Sequence, residues 1–187
     1  MDRVVNEFDW ILNDESDQLP QKVAVAVADA IAKKQMRVAS CEGVSGGLVA
    51  AVLQSFGATR PFYVGGCICP SLGSLSKVLG MDAKTLSLYG VSETTAADIL
   101  RSFRKWISAD IYVANLGIVP TESPLPRTDN AGTVFLMLDV TGRTTIKRFQ
   151  WAGDVADLQS KATLSTFHYL QQHLCSDQLN EKEFENG

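Results

Sequence analysis

Apolar residues along this chain recur with two periods, one typical of helices and one typical of buried strands. Residues 21–34 place Val23, Val27 and Ile31 on one helical face, and Pro20 precedes them at a favoured helix start. The same reasoning predicts further helices at 45–55, 71–88, 92–107 and 154–173, and strands at 37–42, 62–69, 110–115, 133–140 and 144–150. Strands alternate with helices and end in a hairpin, which predicts an α/β fold with a three-layer mixed sheet flanked by helices on both faces.

Charged residues divide the chain into three parts. Residues 1–19 carry six acidic side chains and one basic one, and residues 176–187 carry four and one. The whole chain has a formal charge of −4, so the part between these ends is positive. We therefore expect an acidic N-terminal extension at 1–19, one domain at 20–175 and an acidic, mobile tail at 176–187.

Composition also restricts the expected partners and compartment. No run approaches the roughly 18 apolar residues of a membrane span, and the N-terminal segment lacks the pattern of a signal peptide. We therefore expect a cytoplasmic protein without a membrane partner. Lysine and arginine are scattered rather than interleaved with aromatic residues, which argues against nucleic acid as a partner. The positive central part suits a small anionic ligand instead.

A glycine-rich turn follows the predicted strand 37–42. Gly43 permits a tight bend, and Gly46 and Gly47 leave backbone N–H groups free at the start of an apolar helix. Such a helix start binds phosphates and carboxylates. The spacing matches neither the dinucleotide fingerprint nor a P-loop, so an alternative stays open, in which the glycines only let the helix pack closely on the sheet.

The turn and four later motifs resemble one known family. Cys41-Glu42-Gly43-Val44-Ser45-Gly46-Gly47 resembles the Ala-Glu-Ser-Cys-Thr-Gly-Gly signature of the CinA C-terminal domain family, the nicotinamide mononucleotide amidohydrolases. The other matching segments follow in the family's order at 62–66, 90–93, 131–135 and 149–154. The resemblance implies the CinA C-terminal fold, a nucleotide ligand without a further cofactor, and assembly into a homo-oligomer, for which a dimer is expected.

The departures from the family pattern fall on its catalytic residues. Gly43 stands where the family has its nucleophilic serine, Pro70 where it has a tyrosine, and Leu75 where it has a lysine. None of these three side chains transfers a proton or attacks a carbonyl. The resemblance with these changes favours a catalytically degenerate member that keeps a small anionic nucleotide site or an interaction role, rather than an enzyme.

Two hypotheses therefore concern the same turn. In the first, Ser45 caps the helix and contacts a phosphate, and Glu42 orients the turn by accepting backbone N–H bonds. The predicted ligand-binding residues are Glu42, Gly43, Val44, Ser45, Gly46, Gly47, Asn115 and Gly117. In the alternative, the protein is an active amidohydrolase that deamidates nicotinamide mononucleotide or a related small amide, with Ser45 or Cys41 as a non-standard nucleophile.

The four cysteines raise the question of a metal. Cys41, Cys67, Cys69 and Cys175 form no Cys-x-x-Cys pair. Cys67 and Cys69 alternate with Ile68, so both are expected on one face of a strand. The pattern favours free buried thiols, and no metal site is predicted.

Overall fold

The computed structural model describes residues 21–82, 92–117 and 131–175 of the 187-residue chain. The predicted acidic ends, the end of the predicted helical stretch 71–88 and most of the proline-containing loop 117–130 lie outside these ranges. The described helices are α1 (Gln21–Lys33), α2 (Leu48–Ser55), α3 (Leu72–Leu79), α4 (Glu93–Trp106) and α5 (Val155–Leu174). The described strands are β1 (Val38–Glu42), β2 (Tyr63–Ile68), β3 (Ile111–Gly117), β4 (Thr133–Val140) and β5 (Arg143–Gln150).

The five described strands form one mixed sheet in the order β2-β1-β3-β4-β5. The strand β1 pairs in parallel with both β2 and β3, whereas β4 is antiparallel to β3 and to β5. Thr141 and Gly142, both with positive φ, form the tight turn between β4 and β5, as a type I′ hairpin turn requires. The predicted mixed sheet and its closing hairpin are confirmed.

Helices cover both faces of the sheet. Buried residues of α1, α2 and α5 form one apolar cluster with Val38 of β1 and Val113 of β3. On the opposite face, α3 and α4 pack over Ala39 and Tyr112. All five positions of β1 are buried, as expected for a central parallel strand. The predicted three-layer architecture is therefore confirmed.

The predicted helix caps are also present. Ser92 forms a capping box with Thr95 at the start of α4, and Asp154 forms one with Asp157 at the start of α5. Local sequence thus determines where these two helices begin.

Among the described residues, no helix combines the length and the apolar character that crossing a bilayer requires.

A β-bulge changes the register between β1 and β2. Val38 pairs with Tyr63, but the next residue, Ala39, pairs with Gly65. Gly65 has φ 120°, a backbone conformation that residues other than glycine rarely adopt. Because of the extra residue, Tyr63 packs on the α1 side of the sheet, whereas Cys67 packs on the α3 side.

Replacing Gly66 by alanine is expected to destabilise the fold. A Cβ on Gly66 would overlap the carbonyl oxygen of Ser40 on the neighbouring strand. Gly66→Ala should therefore lower the free energy of unfolding by about 2–3 kcal/mol in denaturant titrations. Gly73→Ala is the matched control, because its Cβ would meet only the Oγ atom of Ser71, at an ordinary contact distance of 3.7 Å, among the described residues. Equal unfolding midpoints for the two variants would contradict this account.

Candidate functional site at the turn between β1 and α2

The glycine turn joins β1 to α2 on the side of the sheet that α2 covers. Gly46 and Gly47 have φ angles of 63° and 105°, in the left-handed region. A right-handed helix cannot include these conformations, so α2 begins at Leu48 and Gly47 is its N-cap residue. The predicted helix start at Ser45 was three residues too early for this reason.

The Glu42 carboxylate caps the start of α2. Glu42 is 1% exposed and accepts backbone N–H bonds from Gly47 at 3.0 Å, Val49 at 3.0 Å and Ala50 at 2.8 Å. These donors belong to the helix N-terminus, where a negative charge is stabilised by the aligned peptide dipoles. The carboxylate thus orients the turn, as the sequence predicted for Glu42.

Two hydroxyl groups complete the shell around this carboxylate. Ser45 Oγ donates to Glu42 Oε2 at 2.6 Å, and Ser40 Oγ donates to Glu42 Oε1 at 3.0 Å. Ser40 Oγ also lies 2.8 Å from the Tyr63 hydroxyl oxygen. Burial, aided by the charge of Glu42, raises the pKa of Tyr63, although its hydrogen bond with Ser40 opposes the shift. The prediction that Ser45 caps the helix was wrong, because Glu42 takes that role and Ser45 supports it.

Asn115, near the end of β3, holds the other side of the turn. Its Oδ1 atom accepts the backbone N–H of Ser45 at 2.8 Å, and its backbone oxygen accepts those of Gly43 at 2.7 Å and Val44 at 3.3 Å. The Nδ2 atom of Asn115 is buried and has no hydrogen-bond partner within the described part of the chain. Gly117 lies two residues further, at the end of β3 and opposite Val134.

These contacts occupy most of the backbone N–H groups that the sequence analysis predicted would bind an external anion. Gly43, Val44 and Ser45 donate to Asn115, and Gly47 donates to Glu42. Within the described residues, the backbone N–H of Gly46 is the turn donor for which we find no acceptor, and Gly46 is exposed. Ligand binding at the turn stays a prediction, and Gly46 N–H is the turn donor left for it on an exposed residue.

Gly43, which the resemblance aligns with the family's nucleophile, has little space for a side chain. A Cβ on this residue would lie 2.9 Å from Leu116 Cδ2, 3.1 Å from the carbonyl oxygen of Cys69 and 3.3 Å from that of Asn115. Leu116 is itself buried. The space beside Gly43 in which a side chain would begin is therefore filled by an apolar side chain and two backbone oxygens.

The resemblance aligns Pro70 and Leu75 with the family's two helper residues. Pro70 is exposed two residues before α3 begins, and Leu75 is buried in the apolar cluster beneath that helix. Neither side chain has an atom that transfers a proton. The two alternative nucleophiles, Ser45 and Cys41, are each 0% exposed, so a substrate carbonyl does not reach them in this conformation.

Three cysteines converge on the opposite face of the sheet. The Sγ atoms of Cys41, Cys67 and Cys69 all lie within 4.8 Å of one another. Cys41 and Cys67 face each other on adjacent strands, and Cys69 follows β2, where its N–H donates to the Glu42 carbonyl oxygen. We call these three residues the thiol cluster. The sequence placed Cys67 and Cys69 together but missed Cys41, because its position depends on the register between two strands.

The pKa values of Cys41 and Cys69 are shifted in opposite directions. Hydrogen bonding from Cys41, aided by Cys67 and Ser74, lowers the pKa of Cys69 to about 6 against the opposing effect of burial. Hydrogen bonds to Cys67 and Cys69, together with burial, raise the pKa of Cys41. A buried thiol whose pKa is raised is a poor nucleophile, which argues against that role for Cys41.

Comparisons with known proteins agree with this architecture. The curated relatives include a CinA-like protein of Kosmotoga olearia, 28% identical over 149 residues, which are 79% of this chain and 36% of the relative. A putative competence-damage inducible protein of Clostridioides difficile is 27% identical over 152 residues, covering 78% of this chain and 35% of the relative. The chain therefore matches only about a third of the length of these relatives.

Solved structures share the fold over most of their length. The competence damage-inducible protein A (ComA) of Klebsiella pneumoniae has a TM-score of 0.72 and 29% identity, with 82% of this chain and 96% of that chain covered. A CinA superfamily protein of Escherichia coli also has a TM-score of 0.72, at 25% identity, with 84% and 94% covered. The family model described as CinA C-terminal domain matches residues 20–174. This chain therefore belongs to the CinA C-terminal domain family.

Proposed function

We propose that this CinA-like domain has lost amide hydrolysis and acts by binding a small nucleotide at the turn between β1 and α2. The observation that carries the proposal is the crowding around Gly43, where a Cβ would lie 2.9 Å from Leu116 Cδ2 and 3.1 Å from the Cys69 carbonyl oxygen. The family's nucleophile falls on this residue. Both the nucleophile and the space for it are therefore missing.

The surroundings of Gly43 support the same proposal. A serine nucleophile needs a nearby base, because its hydroxyl is a weak nucleophile at its ordinary pKa. Leu75, at the position of the family's lysine, is 1% exposed and packs in an apolar cluster. An ionised lysine in that environment would lack solvation, so a single substitution does not restore the helper.

Two unpartnered donors at the turn support a ligand there. Gly46 is exposed and its backbone N–H has no acceptor in the described part of the chain, and the buried Asn115 Nδ2 likewise lacks one. Asn115 Nδ2 is as deeply buried as Ser45, so a ligand meets the Gly46 N–H in this conformation. The Glu42 carboxylate repels a phosphate placed directly at the start of α2. We therefore expect the ligand to present a neutral acceptor, such as a carboxamide or ribose oxygen, to the Gly46 N–H.

One contact favours the alternative, an active amidohydrolase. Ser45 Oγ lies 2.6 Å from Glu42 Oε2, within reach of proton transfer to a carboxylate. That carboxylate already accepts three backbone N–H groups, and Ser45 is 0% exposed. The contact is therefore better explained as part of the structural network around Glu42.

Binding without turnover is the expected result for nicotinamide mononucleotide. Thermal melting of the protein should shift upward with this nucleotide, and a concentration 100 times the Kd adds about 2.7 kcal/mol to the free energy of unfolding. Inorganic phosphate alone should give a smaller shift, because Glu42 already occupies the start of α2. The same samples are assayed for ammonia.

The two readouts separate the two parts of the proposal. Absence of a shift with nicotinamide mononucleotide, nicotinic acid mononucleotide and adenosine monophosphate would overturn the ligand site. Ammonia release at an enzymatic rate would overturn the loss of hydrolysis, whatever the melting data show.

A further inference from the structure

We propose that the thiol cluster of Cys41, Cys67 and Cys69 is a three-coordinate thiolate site for a soft metal ion, with Cu(I) as the ion that it fits. The cluster lies on the sheet face covered by α3 and α4, whereas Glu42 caps α2, which packs with the opposite face. The inference goes beyond the proposed function and does not depend on it.

The sulfur positions are close to those that one ion requires. All three Sγ atoms lie within 4.8 Å of one another. With metal–sulfur bonds of about 2.3 Å in a plane, the sulfurs are separated by about 4.0 Å. Each sulfur–sulfur distance therefore contracts by at most about 0.8 Å on binding, which side-chain rotation on three different backbone positions supplies.

The fold brings the three thiols together by two independent features. The bulge at Gly65, with φ 120°, turns Cys67 to the side of the sheet that Cys41 faces. The N–H of Cys69 then donates to the Glu42 carbonyl oxygen at 2.6 Å, which extends the strand pairing past the end of β2. Cys41 and Cys69 are buried, and the half-buried Cys67 provides the approach for an ion.

The ligand set selects the kind of metal. Soft thiolate ligands favour Cu(I), Zn(II) and iron–sulfur clusters. Structural zinc sites are almost always four-coordinate, and the group of possible ligands found among the described residues contains the three cysteines alone. Three sulfurs, with no nitrogen or oxygen ligand beside them among the residues that the structure describes, suit a three-coordinate monovalent ion. Cu(I) is therefore favoured over Zn(II).

Binding exchanges protons for the metal. Each thiol loses one proton to solvent as its sulfur forms a bond to the ion, so one Cu(I) and three thiols yield the complex and three protons. The oxidation state of copper does not change. Cys69 lies three residues before Leu72, the first residue of α3. A helix N-terminus stabilises a nearby thiolate ligand.

Copper titration of the reduced protein tests the site. Under anaerobic conditions, we expect the full chain to take one equivalent of Cu(I) from a chromogenic Cu(I) chelator. X-ray absorption of the product should show three sulfur neighbours and no nitrogen or oxygen neighbour. Cys67→Ser should lower the Cu(I) affinity more than about 100-fold, because loss of a direct ligand exceeds the usual effect of an outer-shell change.

Cys175→Ser is the matched control, because Cys175 is also buried but packs in the apolar cluster on the other face of the sheet. It should leave copper affinity and stoichiometry unchanged. Cys67 is half-buried on an edge strand, so its serine variant is expected to keep the wild-type melting curve. Equal copper affinity in Cys67→Ser, an equal loss in Cys175→Ser, or tighter Zn(II) binding with a nitrogen or oxygen ligand would each overturn the assignment.

Discussion

Purified protein incubated with nicotinamide mononucleotide is expected to release ammonia no faster than buffer alone. The reason is that Gly43, Pro70 and Leu75, which the resemblance aligns with the family's nucleophile and both helper residues, carry no reactive atom. Removing the nucleophile of an enzyme that depends on one lowers kcat by about 10⁶-fold. A coupled ammonia assay over hours, at millimolar substrate, measures this difference directly. Turnover at an ordinary enzymatic rate would refute it.

Restoring the serine alone is expected to fail. In Gly43→Ser the new side chain would meet Leu116 Cδ2 at 2.9 Å and the Cys69 carbonyl oxygen at 3.1 Å, so the core must shift to accept it. We expect no ammonia release and a free energy of unfolding lower by about 1–3 kcal/mol. Gly73→Ser, at an exposed position of α3, is the control and should change stability little. Hydrolysis by Gly43→Ser would show that a base is present after all.

Replacement of Glu42 by glutamine is expected to destabilise the domain strongly. Three backbone N–H groups and two serine hydroxyls donate to this carboxylate. A glutamine side chain has one acceptor oxygen, and its amide group would face donors. We expect Glu42→Gln to lower the free energy of unfolding by about 3–5 kcal/mol, measured by urea denaturation followed by circular dichroism.

Glu93→Gln is the matched control, because Glu93 is exposed in the first turn of α4. It loses the same charge near a helix N-terminus and should change stability by less than about 1 kcal/mol. Similar effects of the two substitutions would mean that the network around Glu42 contributes little. Both variants are compared at one pH and one salt concentration.

Helix caps, strand periodicity and the hairpin were predictable from the sequence because each depends on neighbours along the chain. Ser92 and Asp154 begin helices through capping boxes that span only four residues. The turn at Thr141 and Gly142 follows from two residues with positive φ between alternating strands. The family could likewise be inferred, since its motifs are local and occur in a constant order.

The start of α2 and the role of Ser45 could not be predicted in this way. The start of α2 depends on where the Glu42 carboxylate points, which three backbone N–H groups up to eight residues away decide. The role of Ser45 depends also on Asn115 of β3, which accepts its N–H. The sequence indicated a carboxylate and a set of N–H donors in one turn. It did not show that the carboxylate accepts hydrogen bonds from these same N–H groups. This pairing leaves few N–H donors for an external anion.

By itself, the sequence determined the elements of this protein and their α/β arrangement. The tertiary structure decided which atoms surround Gly43 and which thiols meet. Crowding at Gly43 comes from Leu116 and from backbone atoms on other strands, and Cys41 meets Cys67 only through the register set by the bulge at Gly65. Pairing in a sheet joins residues far apart in the chain, and one extra residue reverses which face a side chain occupies, so no local pattern contains that information.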